Sequence, residues 1–120
     1  MHCSAESSAD QRRAFANAAN LLGDSTADVD ALVVVLNGDG VSAARADSPV
    51  ADEVRGLLAR TPAEATDADA SAVEVCVCGN SLAARDIPED SLVYGVEVVS
   101  SGMGEISRRE ADGYGYIRVP

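Results

Sequence analysis

The residues best placed to do chemistry in this chain are thiols, and the one with the most telling surroundings is Cys78. It ends the run Val73-Glu74-Val75-Cys76-Val77-Cys78, whose alternating valines read as a strand. Gly79-Asn80-Ser81 follows at once, a turn able to start a helix. A cysteine at the carboxyl end of a strand stands where ligands and reactions collect in α/β proteins, and helical N–H groups facing it favour the thiolate. The N–H groups of Asn80 to Leu82 and the Asn80 side chain are the expected donors. Free cysteine is also a small apolar residue that is often buried, so plain packing is the competing reading. Cys76, two residues earlier, falls on the same face of a regular strand, either as a resolving thiol or as core.

The other candidates are sparser. His2 and Cys3 stand at the end of what would be a first strand, close enough in a parallel sheet to assist Cys78, His2 as a base or hydrogen-bond partner. A set of His2, Cys3, Cys76 and Cys78 lacks the separated Cys-x-x-Cys pairs of metal knuckles, so no metal is expected. Asn37-Gly38-Asp39-Gly40 and Ser101-Gly102-Met103-Gly104 can bring backbone N–H groups to an anion, but neither has the Lys and Ser/Thr of a P-loop or dinucleotide glycine spacing. They read as strand-to-helix turns. In the alternative of a small-ligand or nucleotide module, Asn37, Gly38, Gly79, Ser81, Ser101 and Gly102 are the loop residues that would serve it. No cofactor is expected.

Periodicity supplies the elements that must position these residues. Ser8-Ala9-Asp10-Gln11 has the form of a capping box, and Phe15, Ala18, Ala19 and Leu22 then recur at helical spacing, predicting a helix over residues 9–22 with Gly23 as its stop. Leu32-Val33-Val34-Val35-Leu36 is the continuous β-branched run of a strand covered on both faces. A second helix is predicted from an N-cap at Ser48, with Pro49 in its first turn and Val50, Val54, Leu57 and Leu58 inward. Residues 61–72 read as a solvated connection. Beyond the strand at 73–78, a short helix over 81–85, a strand over 96–99, a helix over 103–112 burying Met103 and Ile106, and a brief closing strand are expected. Glu105, Arg108, Arg109 and Glu110 read as surface ion pairs or an interface, and Tyr114 and Tyr116 as packing. Alternating strands and helices predict one α/β domain, residues 1–120, with a mostly parallel sheet. Met1-His2-Cys3-Ser4 is barely long enough for the strand that should precede the first helix, so a natural start several residues upstream is expected.

Composition narrows the function classes. A formal charge of −11 with a pI near 4.2, and nine basic residues that are all arginine, leave no phosphate-neutralising patch, which argues against nucleic acid and anionic membranes. Acid excess, no lysine and abundant alanine resemble the proteins of halophilic microbes, archaea in particular, whose surface repulsion is screened by salt. The amino terminus has no basic start or apolar signal region, and the apolar run at 32–36 is far too short to span a bilayer, so a soluble cytoplasmic protein with reduced thiols is expected.

Cys78-Gly79-Asn80-Ser81-Leu82, followed by Gly95-Val96-Glu97-Val98-Val99-Ser100-Ser101-Gly102 and by Gly113-Tyr114-Gly115-Tyr116-Ile117, resembles the DsrE/DsrF-like family, particularly its small stand-alone members with a Cys-Gly-Asn-Ser/Thr-Leu motif. Asn20-Leu21-Leu22 and Asn37-Gly38 match the same pattern, while Glu110 stands where relatives often have Gln and the first strand is shorter than usual. The resemblance implies a three-layer α/β/α sandwich on a five-stranded parallel sheet, assembled as trimers or hexamers. It also implies sulfur handling, with Cys78 accepting sulfane sulfur as a persulfide from a donor protein and passing it to an acceptor, and Asn80 supporting the thiolate. The alternative is a non-catalytic oligomeric binding or structural protein in which Cys78 only packs.

Overall fold

Leu32–Leu36 is buried at every position because it lies inside the sheet with helices on both faces. The computed structural model describes residues 1–60 and 73–119; the predicted connection at 61–72 lies outside the described residues. In chain order the elements are β1 (His2–Cys3), α1 (Ser8–Gly23), β2 (Leu32–Leu36), a 3-10 helix (Gly38–Ala44), α2 (Ala51–Leu58), β3 (Val73–Cys78), α3 (Gly79–Ala84), a 3-10 turn (Glu89–Ser91), β4 (Glu97–Val99), α4 (Gly102–Ala111) and β5 (Arg118–Val119). The sheet has five strands in the order β4-β3-β2-β1-β5, and every pairing is parallel.

Alternation along β2 and β3 divides the core. Leu32, Val34, Leu36, Val75 and Val77 face α1 and α2, meeting Ala14, Phe15, Ala18, Val54 and Leu57. Val33, Val35 and Cys76 face the other way, against Ile106 of α4, Val99 and Tyr114. The result is the three-layer α/β/α sandwich. The first strand, short as it is, forms: His2 pairs with Val35 and Arg118, and Cys3 with Leu36 and Val119.

Several element boundaries differ from the sequence reading, each for a local reason. The N-cap of α1 is Ser7, whose Oγ accepts the Asp10 N–H at 3.1 Å. Gln11 does not close a capping box. Its buried amide donates instead to the Ala5 carbonyl at 2.9 Å and to Ser42 Oγ at 3.0 Å, tying α1 to the 3-10 helix. Gly23 is the last helical residue, and Asp24 ends the helix in extended conformation. The second helix starts at Ala51, because Ser48 Oγ donates to the Ala43 carbonyl and accepts from the Val50 N–H, closing a turn ahead of it. In α4 the buried residues are Gly102 and Glu105, with Met103 half exposed. That register follows from Gly102 lying against the sheet: residues 105, 106 and 109 then share its face and Met103 turns away.

Glu105 is accommodated inside by ion pairs. Arg109 Nε donates to it at 2.7 Å, Arg108 adds a second contact, and Arg109 also binds both oxygens of Glu74 on β3 at 2.9 and 3.1 Å. Glu74 above all, then Glu105 and Tyr114, hold Arg109 firmly charged, while Arg109 keeps the Glu105 carboxyl below the usual carboxylate range. This cluster fastens α4 to the sheet. It is a structural tie between two layers rather than a loose surface pair.

Candidate functional site

The site is a product of strand register. Cys78 pairs with Val99, so β3 and β4 end level with each other, and the helices that follow both begin beside the same thiol. Cys78 is itself the N-cap of α3. The residue is 7 % exposed, and its sulfur takes hydrogen bonds from the Ser81 hydroxyl and from the backbone N–H groups of Gly102, Ser81 and Asn80. Burial pushes the thiol up, but the Ser81 hydroxyl and the three N–H groups outweigh it, and the thiol lies below its ordinary value.

Each donor is held in place. Ser81 Oγ accepts the Gly38 N–H at 2.9 Å, which leaves the hydroxyl proton for the sulfur. Gly38 has φ +56°, a left-handed conformation suited to glycine. Arg85, the C-cap of α3, grips Asp39 Oδ1 through Nε at 3.1 Å and Nη2 at 2.9 Å, fixing the β2 loop to α3. Ser101 caps α4 by accepting the Gly104 N–H at 3.2 Å, so the Gly102 N–H remains for Cys78. Gly102 needs to be small: a Cβ there would stand 3.1 Å from Asn37 Cβ and 3.4 Å from Cys78 Cβ. A Cβ on Gly79 would stand 3.0 Å from the Val99 carbonyl oxygen.

Asn37, Gly38, Gly79, Ser81, Ser101 and Gly102, read from sequence as turn or ligand-loop residues, thus converge on Cys78. The Gly38 and Gly104 N–H groups are taken by Ser81 and Ser101, and the Gly102 N–H by Cys78. Asn80 contributes its backbone only; its side chain is exposed and makes no hydrogen bond among the described residues. Leu82 is core rather than a donor.

The remaining cysteines stand apart from this chemistry. Cys76 is fully buried, and burial first, then Glu74, Glu97 and Glu105, push its thiol up to about 12. Burial and these carboxylates favour its protonated form, in keeping with the core reading. Cys3 packs with Leu36 on the α1 side, in a different core layer from Cys76, and its burial also raises its thiol. None of the three cysteines is in a disulfide. The set of His2, Cys3, Cys76 and Cys78 is therefore split across the sheet. Glu74, Cys76 and Glu97 do bring ligand atoms within 4.8 Å of one another, but Glu74 is occupied by Arg109.

His2 reaches the site only indirectly. It is buried on β1, with Nδ1 2.7 Å from the Tyr116 hydroxyl and Nε2 2.7 Å from Asn37 Oδ1. Both ring nitrogens are thereby engaged, which removes the expectation of a direct bond from His2 to the thiol. Tyr116 was missed as a site residue. The signal was its place in Gly113-Tyr114-Gly115-Tyr116-Ile117, but no sequence rule connects that segment to residue 2.

Fold and site together define an α/β/α protein with a hydrogen-bonded cysteine at the carboxyl edge of a parallel sheet. The chain belongs to the DsrE/DsrF-like family, whose model matches residues 2–119. Among solved structures it is similar to the protein of unknown function MTH1491 from Methanobacterium thermoautotrophicum, at 32 % identity and a TM-score of 0.80, covering 98 % of this chain and 94 % of that one. No curated protein matches it. No helix among the described residues is long and apolar enough to cross a membrane.

Proposed function

We propose that this protein handles sulfane sulfur, with Cys78 as the persulfide acceptor. The observation that carries the reading is the convergence of four hydrogen-bond donors on one strand-end sulfur, in a member of a family generally linked to sulfur relay. The Cys78 thiolate attacks the outer sulfur of a donor persulfide; a new S–S bond forms, the donor's S–S bond breaks, and the donor's inner sulfur leaves as a thiolate. No external oxidant or reductant enters. The donors that favour the thiolate also suit the anionic outer sulfur of the product, while Cys76 stays protonated and out of the exchange.

The reading extends to a cytoplasmic homo-oligomer, trimer or hexamer, working between a donor and an acceptor protein. Fully exposed Tyr94, with Val98 and half-exposed Met103, supplies apolar surface near the β4 edge for such contacts. A second reading, a non-catalytic binding protein, is favoured by the small exposed area of Cys78.

Intact-mass analysis separates the two. Reduced wild type, Cys78→Ser and Cys76→Ser are exposed in high salt to glutathione persulfide. A one-sulfur adduct on wild type and Cys76→Ser, lost in Cys78→Ser, is the expected result. No adduct on folded wild type, or an equal adduct on Cys78→Ser, overturns the assignment and leaves the binding protein.

A further inference from the structure

We infer that Asn37 binds the outer sulfur of the Cys78 persulfide through its side-chain amide, and that His2 and Tyr116 are positioning residues that aim it; this rests on the persulfide reading above. The placement follows from register. Leu36 pairs with Val77, so the next residues, Asn37 and Cys78, stand level on adjacent strands. Both flank Gly102, whose missing Cβ would lie 3.1 Å from Asn37 Cβ and 3.4 Å from Cys78 Cβ. Packing against the same glycine brings the two side chains together.

Direction follows from the hydrogen bonds. β2 lies between β1 and β3. Asn37 Oδ1 is held from the β1 side by His2 Nε2 at 2.7 Å, which makes Nε2 the protonated nitrogen. In the neutral ring Nδ1 then accepts the Tyr116 hydroxyl proton at 2.7 Å. With its oxygen tied toward β1, the amide turns its NH2 group away from β1, the direction in which β3 and Cys78 lie. Among the described residues that NH2 group has no protein partner and is not a buried unsatisfied atom, so a ligand can take it. A chain of two hydrogen bonds that ends on an unused donor beside a thiol is more than packing requires.

The bare Sγ already has its own donors in Asn80, Ser81 and Gly102. Asn37 therefore acts after the sulfur arrives: Cys78–S⁻ attacks the donor's outer sulfur, the donor thiolate departs, and the amide N–H donates to the terminal sulfur of Cys78–S–S⁻. The thiol is not altered by it beforehand.

The test compares two readouts on the same folded protein: persulfide occupancy after glutathione persulfide treatment, by intact mass, and the iodoacetamide alkylation rate of the untreated thiol. Asn37→Ala is expected to lower occupancy about tenfold while changing alkylation less than twofold, the size of one hydrogen bond to a charged group. His2→Phe and Tyr116→Phe are expected to lower occupancy by about two- to fivefold, again with alkylation preserved, and His2→Gln, which keeps a donor toward Asn37 Oδ1, to restore it. Wild-type occupancy in Asn37→Ala, or occupancy and alkylation falling in parallel, overturns the role of Asn37. Equal loss in His2→Gln and His2→Phe overturns the positioning chain. Wild type that never loads removes the persulfide reading itself, and this inference with it.

Discussion

The Ser81 hydroxyl shows how little freedom a single side chain retains at this site. Its oxygen accepts from Gly38, so its proton goes to Cys78. The Cys78 value is depressed relative to an ordinary thiol, so the thiolate forms at lower pH in the folded protein than in the unfolded chain. Removing a donor that favours the anion moves the midpoint upward. A hydrogen bond to a charged group contributes roughly 1.5–3 kcal/mol, and a tenfold change in ionisation corresponds to about 1.4 kcal/mol. Ser81→Ala is therefore expected to raise the midpoint of Cys78 alkylation, slowing the reaction about tenfold or more near neutrality and converging with wild type in strong alkali. The iodoacetamide rate against pH reads this directly, with Cys78→Ser as the blank, and coincident profiles would show that Ser81 is idle.

Between elements, the close approaches are made by missing side chains. Gly40, in the 3-10 helix after β2, lies so near β1 that an added Cβ would stand 2.4 Å from the Cys3 carbonyl oxygen, a backbone atom that cannot swing aside. This contact holds the loop carrying Asn37 and Gly38 against the short first strand. Gly40→Ala is expected to cost about 3 kcal/mol. Gly56 is the contrasting case: it is exposed within α2, and nothing lies within 4 Å of its would-be Cβ. Gly56→Ala is expected to stabilise by about 0.5–1 kcal/mol through helix propensity and reduced chain entropy. Urea unfolding midpoints of the two variants moving in opposite directions would bear this out; equal shifts would refute the packing account of Gly40.

Across the whole molecule the dominant quantity is charge. Twenty acidic residues against nine arginines leave −11, and several arginines are already engaged in pairs with Glu53, Asp39, Glu74 and Glu105. The unpaired acids repel one another over distances that salt screens. If the halophilic assignment from composition is right, the melting temperature rises between 0.1 and 2 M KCl by about 5 °C for each kcal/mol of repulsion removed. Calorimetry in KCl and in NaCl tests it, and a melting temperature independent of both salts would end that assignment. The same titration, followed by light scattering, reports whether the proposed oligomer needs screening to form.

Much of this architecture was legible along the chain. Leu32–Leu36 and Val73–Cys78 declared themselves as buried strands, and the alternation of strand and helix entailed a parallel sheet, because these patterns are local consequences of side-chain shape and backbone periodicity. Cys78 stood out for the same reason, as the residue at which one periodicity hands over to another. Other features depended on which atoms meet across the sheet. Cys3 looked like a partner for the β3 cysteines until pairing with Leu36 put it in a different core layer from Cys76. Met103 looked apolar and inward until Gly102 set the register of α4 and brought Glu105 inside. Residues 2, 37 and 116 form a hydrogen-bonded chain only because β1 is inserted between β2 and β5. Periodicity assigned each residue to an element and a face; strand order and register, which are set by the packing of distant segments, decided which faces became neighbours.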